Sequence, residues 1–99
     1  MSDISVEGGD ISAQQVRVID FMLKEKRWYS VREIASGAQV SERTGQNLAR
    51  KFVRLGIFEQ ADLHPAPRYR LSEGAANKSG AFFDKIAAAR RAFNLEDAR

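Results

Sequence analysis

Apolar residues recur at helical spacing in three blocks before residue 56 and once more near the C-terminal end. In the first block Val16, Ile19, Met22 and Leu23 define one stripe, and Val18 and Phe21 widen it, which predicts a helix packed on more than one side. Ser12 followed by Gln15 has the form of a capping box and sets the start of this helix. Lys24, Lys26 and Arg27 close it at the negative end of the dipole. Residues 1–11, with Gly8-Gly9 and no period, read as a flexible lead. Trp28-Tyr29 is a β-favouring interruption whose two rings point to opposite faces, as core and strand residues rather than a stacking platform. Ser30-Val31-Arg32-Glu33 repeats the box and opens a short second helix, with Ile34 and Ala35 inward and Gly37 as its stop. Ser41 caps a third helix from Glu42 to Leu55, ended by Gly56 in a left-handed C-cap.

The third helix has two different faces. At about 100° per residue, with Arg43 at zero, Leu48, Phe52 and Leu55 fall at about 140°, 180° and 120°, and Gly45 and Ala49 at about 200° and 240°. Opposite this apolar half, Asn47, Arg50 and Arg54 lie within about 40° of Arg43, with Thr44, Lys51 and Gln46 at the flanks. Beyond Gly56, Ile57–Gln60 and Arg68–Ser72 alternate as strands that can pair, Tyr69 and Leu71 on one face and Arg68 and Arg70 on the other. The connection from Ala61 to Pro67 contains two prolines and is too long for a tight turn, so it projects as a stiffened loop. Residues 73–80 read as a linker, 81–94 as a final amphipathic helix, and 95–99 as a tail. The fold class is therefore mainly α with a small β-hairpin, an α+β arrangement within one domain at 12–72 plus a C-terminal helix.

Charge sharpens this picture. Residues 12–72 carry eleven bases against six acids, a net +5, while residues 1–11 are at −3 and residues 73–99 at +1. A basic central segment is the footprint of a polyanion binder. With no cysteine and His64 as the single histidine, the chain has no disulfide, thiolate-zinc site, thiol nucleophile or His-pair metal site. Nor has His64 a motif of carboxylate or nucleophile around it, so no catalytic residue, metal or cofactor is expected, and the chain reads as a non-enzyme. No apolar run approaches the ~20 residues of a membrane span. Together with an opening, Met1-Ser2-Asp3, unlike a signal peptide, this gives a cytoplasmic expectation.

Three helices followed by a hairpin with a projecting loop resemble a winged helix-turn-helix domain. Val31-Arg32-Glu33-Ile34-Ala35 resembles its second helix, Val40-Ser41-Glu42-Arg43-Thr44 the entry to its recognition helix, and Arg54-Leu55-Gly56-Ile57-Phe58-Glu59 the helix end and first wing strand. Tyr69-Arg70-Leu71-Ser72-Glu73 resembles the closing wing strand of MarR-like repressors of small bacterial, phage or plasmid type. The resemblance implies double-stranded DNA as partner and a transcriptional regulator, a repressor acting as a homodimer. A plasmid or phage replication or partition protein, and a winged helix that docks a protein partner, remain as alternatives. It makes Ser41, Arg43, Thr44, Gln46, Asn47, Arg50, Lys51 and Arg54 the DNA-binding residues of the recognition helix, with Arg43, Thr44, Asn47 and Arg50 near base edges in the major groove and Lys51 and Arg54 nearer phosphate, and it puts His64, Arg68 and Arg70 on the wing. Ser41 is first a cap, with a phosphate contact held open. Phe82, Phe83, Ile86, Ala89 and Phe93 form a stripe assigned to dimerisation, the alternative being packing on the first helix. Gly45 departs from the aliphatic residue common at that buried position; a close approach of the second and third helices would accommodate it.

Overall fold

Ser12, Ser30 and Ser41 each lie in extended backbone just before a helix and each turns its hydroxyl onto an N–H of the first turn. The accepted bonds, from Gln15, Glu33 and Thr44, measure 3.2, 3.1 and 3.0 Å. At Ser30 the box is reciprocal, since Glu33 Oε1 accepts from the Ser30 N–H at 2.9 Å. In the computed structural model, which describes residues 11–75 and 79–93, these caps open the first three helices of the described residues. The order is α1 (Ala13–Lys24), β1 (Tyr29–Ser30), α2 (Val31–Ala38), α3 (Glu42–Arg54), β2 (Phe58–Ala61), β3 (Arg68–Leu71) and α4 (Gly80–Ala92). The expected lead up to residue 10, the middle of the linker, the end of the last helix at residue 94 and the tail lie outside the described residues.

The strands form one antiparallel sheet in the order β1-β3-β2. Phe58 pairs with Leu71 and Ala61 with Arg68, so the hairpin closes on a loop of residues 62–67. The expected two-stranded hairpin gains a third strand, because Tyr29 pairs with Tyr69 and Ser30 with Arg68. The result is the winged helix: α1 to α3 form the helical body and β2–β3 the wing. No described helix is long and apolar enough to cross a membrane.

One core holds these parts together. Val16, Ile19 and Met22 of α1, Ile34 of α2, Phe52 of α3, Tyr69 of β3 and Ile86 of α4 are all essentially inaccessible. Phe52 is central to it, its ring 5.2 Å from Phe58 and 5.6 Å from Phe82 in edge-on geometry. Arg17 Nε donates to the Ala38 carbonyl at 3.0 Å, satisfying an acceptor at the C-terminal end of α2.

Several boundaries differ from the sequence expectation for identifiable reasons. α1 ends at Lys24 rather than Lys26, because Glu25 is already extended and its carbonyl accepts from the Tyr29 hydroxyl at 3.2 Å. Gly37 does not stop α2; Gln39 takes the left-handed turn at φ 61° instead. The Phe21 ring occupies the space beside Gly37, where a Cβ would stand 2.2 Å from Cε1, so this glycine serves helix packing. Leu55 is the C-cap of α3 and is 40% exposed, outside the apolar face that Gly45, Ala49 and Phe52 bury. Ile11, assigned to the lead, packs against the core, and Ala75 in the linker is buried and bonded to Ser72 and Ser79.

Gly45 marks the close approach of α2 and α3. A Cβ there would lie 3.3 Å from the Ala35 Cβ, tight but tolerable for one methyl group. Gly45→Ala is expected within about 1 kcal/mol of wild type, helix propensity offsetting crowding. Gly45→Leu is expected to cost about 2 kcal/mol or more by overpacking. Urea unfolding midpoints check both, and equal stability of the leucine variant would contradict the close-packed interface.

Candidate nucleic-acid interface

α3 is fixed from inside by Gly45, Ala49 and Phe52, which leaves the opposite face to solvent. Arg43, Gln46, Asn47, Arg50 and Arg54 are exposed, and Thr44 and Lys51 are half-buried at the flank. Arg43, Arg50, Lys51 and Arg54 make no ion pair among the described residues, whereas Arg27, Arg32, Arg70 and Arg90 do. Side chains able to grip base edges and phosphates are thus gathered on one convex surface.

The wing lies along one side of that surface. Burial pushes the Tyr69 phenol above its ordinary value, the Arg50 guanidinium opposes the rise and the Asp62 carboxylate adds to it. Arg50 on α3 therefore stands within electrostatic reach of Tyr69 on β3. Glu42 at the start of α3 shares a groove with Ser30, Val31, Arg32, Pro65, Ala66 and Arg68. With Arg43 at zero, Glu42, Gln46 and Arg50 fall at about −100°, −60° and −20°, so this stripe is the wing side of the helix. Asn47, Thr44, Lys51 and Arg54 lie on the other side.

The wing candidates separate. His64 is exposed near the loop tip, beside Leu63, which is 48% exposed, and Asp62, whose carboxylate accepts from Gln60 Nε2 at 2.9 Å. Arg68 is half-buried at the wing base and unpaired among the described residues. Arg70 is committed elsewhere: its Nε binds Glu59 Oε1 at 3.0 Å and its guanidinium stacks on Trp28 at 4.5 Å. Ser41 caps α3 and also donates to Thr44 Oγ1 at 3.0 Å, so both hydroxyls are engaged with each other. Arg32 of α2, which the sequence does not mark as an interface residue, stands beside the start of α3. It binds Glu42 Oε2 at 3.3 Å across ten positions of sequence, a separation without a local signal.

The stripe assigned to dimerisation divides. Ile86 and Ala89 are buried, Phe82 lies against Phe52, and Arg90 forms a two-point pair with Asp20 of α1. These residues hold α4 on its own chain. Phe83 is half-buried, and Phe93 with Leu23 of α1 stays exposed at 44% and 46%. Among the described residues no three His, Cys, Asp or Glu side chains gather to hold a metal ion.

Tyr69 gives a pH prediction. Its folded-state pKa is raised, so the neutral phenol stabilises the fold below the unfolded value near 10, and this contribution is lost as pH rises through the folded value. Wild type is expected to lose stability above pH ~10 faster than Tyr69→Phe. Parallel melting-temperature profiles for the two would refute this.

No protein-family model matches the chain, and no curated protein matches it in sequence. Solved structures share its fold. The ST1889 protein from the thermoacidophilic archaeon Sulfolobus tokodaii aligns with a TM-score of 0.62 at 20% identity, over 86% of this chain and 82% of that one. A MarR-family transcriptional regulator from Silicibacter pomeroyi gives 0.62 at 13% identity, over 84% of this chain and 57% of its own. S. aureus MepR, in a complex with DNA, gives 0.60 at 15% identity, over 86% of this chain and 72% of its own.

Proposed function

We propose that this chain is a transcriptional regulator that binds duplex DNA sequence-specifically, with α3 in the major groove and the β2–β3 wing beside it. The observation that carries the reading is the outer face of α3. Arg43, Asn47, Arg50 and Arg54 are exposed there with no ion pair among the described residues, on a helix whose single carboxylate lies at its first position. An ordinary solvated face mixes signs in i, i+4 pairs. Arginine suits guanine O6 and N7, and asparagine suits adenine N6 and N7. The MarR-family likeness and the DNA complex of MepR support the same reading.

The regulator acts as a homodimeric repressor that occludes its site. Of the stripe expected at the dimer contact, Phe83 and Phe93 remain accessible, joined by Leu23, while Phe82, Ile86 and Ala89 support the contact from within. Arg68 and His64 serve the wing, and Ser41 remains a cap. Selection from a random pool of duplexes tests the function. A near-palindromic motif with half-sites about one helical turn apart is expected; a pool that shows no enrichment overturns the reading.

A further inference from the structure

Glu42 is an odd residue on this surface: a carboxylate at the first position of a helix otherwise armed with cations. Its partner Arg32 comes from the first turn of α2, and the two side chains are 62% and 84% exposed. A pair so open to water adds little to stability, and a first-turn carboxylate favours the helix dipole by only about 0.3–1 kcal/mol, a role that leaves the Glu42 carboxylate accessible for a further contact. The Glu42 carboxylate also makes the N-terminus of α3 less favourable to phosphate. Ser41 already takes the Thr44 N–H, and an arriving phosphate would meet the Glu42 carboxylate. The exposed carboxylate itself can receive a hydrogen-bond donor.

Recognition helices meet base edges with their N-terminal residues, and the donors in the major groove are the amines of cytosine and adenine. Adenine carries the N7 acceptor beside its amine, which repels a carboxylate; cytosine offers N4 without it. Arg32 engages Oε2, and Oε1 accepts no hydrogen bond among the described residues. Arg32 and Arg68 line the same groove as Glu42, so a carboxylate withdrawn from water there keeps a counter-charge. We infer that Glu42 is a specificity-determining residue that accepts a hydrogen bond from cytosine N4, and that Arg32 is its positioning residue. This rests on the duplex-binding reading above and names one base that the interface reads.

The test is selection from random duplexes with the full chain as wild type, Glu42→Gln and Arg32→Ala, followed by titration of the selected site and its single base-pair variants. Wild type is expected to hold a C·G pair at one position of each half-site, with roughly a 5- to 150-fold penalty for its replacement. Glu42→Gln is expected to prefer adenine at that position alone, since glutamine matches N6 and N7. Arg32→Ala is expected to reduce the cytosine preference there without moving the others. An unchanged preference in Glu42→Gln, or a gain in affinity equal for all duplexes, overturns the inference while leaving duplex reading intact. A wild-type chain that selects no sequence overturns both.

Discussion

Replacing Arg50 and Arg54 together with alanine is expected to weaken duplex binding by about 30- to 1000-fold, a loss of about 2–4 kcal/mol built from one base-edge contact and one phosphate contact. Both side chains are exposed and neither makes an ion pair among the described residues, so their loss leaves the core untouched. Arg54 lies in the last turn of α3, where a cation favours the helix by about 0.3–1 kcal/mol, and the melting temperature should therefore fall only slightly. Arg50 also holds down the Tyr69 phenol, so in the double variant that phenol should ionise at still higher pH. This supplies an internal check, in the same protein, that Arg50 occupies its place between helix and wing. Duplex affinity unchanged by both substitutions would remove α3 from the interface and turn its basic face toward an acidic protein partner.

Phe52→Ala is expected to cost about 3–5 kcal/mol, the usual toll of emptying a fully buried aromatic position. For a domain of this size each kcal/mol moves the melting temperature by about 4–8 °C, so a fall of at least about 12 °C should appear in thermal unfolding followed by circular dichroism. The loss is large because Phe52 joins three elements, with Phe58 of β2 and Phe82 of α4 against its ring. Leu55→Ala, one turn later on the same helix and 40% exposed, is the control and should cost less than about 1 kcal/mol. Similar losses at both positions would mean that α3 packs on a different face, and the outward placement of its arginines would fall with it.

The elements that were legible in the sequence are those whose causes are local. Serine caps, the three- and four-residue spacing of α1 and α3, and the alternation of Tyr69 and Leu71 with Arg68 and Arg70 depend on residues within a turn or two of one another. What was not legible depends on distant partners. Gly37 reads as a helix stop until the Phe21 ring is seen beside it, and Tyr29–Ser30 reads as a mere interruption until β3 pairs with it. The same distinction runs through the candidate site. A helical wheel found the outer face of α3, but the pairing of Arg70 with Glu59 and Trp28, and of Arg32 with Glu42, spans separations that no periodicity reveals. The last helix shows it again. Its stripe advertised apolar area to be hidden, and the structure hides Ile86 and Ala89 within the chain, leaving Phe93 with Leu23 at the surface.

The most direct test of the central claim is fluorescence anisotropy of the full chain on selected and random duplexes across a salt series. Lys51, Arg54 and Arg68 from each of two protomers would neutralise about six phosphates, giving a slope of log K against log salt of about −5 and a loss of about 10³ between 50 and 200 mM. Selected duplexes should bind at least ~10³-fold tighter than random ones at the same salt. A shallow slope, or equal affinity for every duplex, would contradict a DNA-reading regulator.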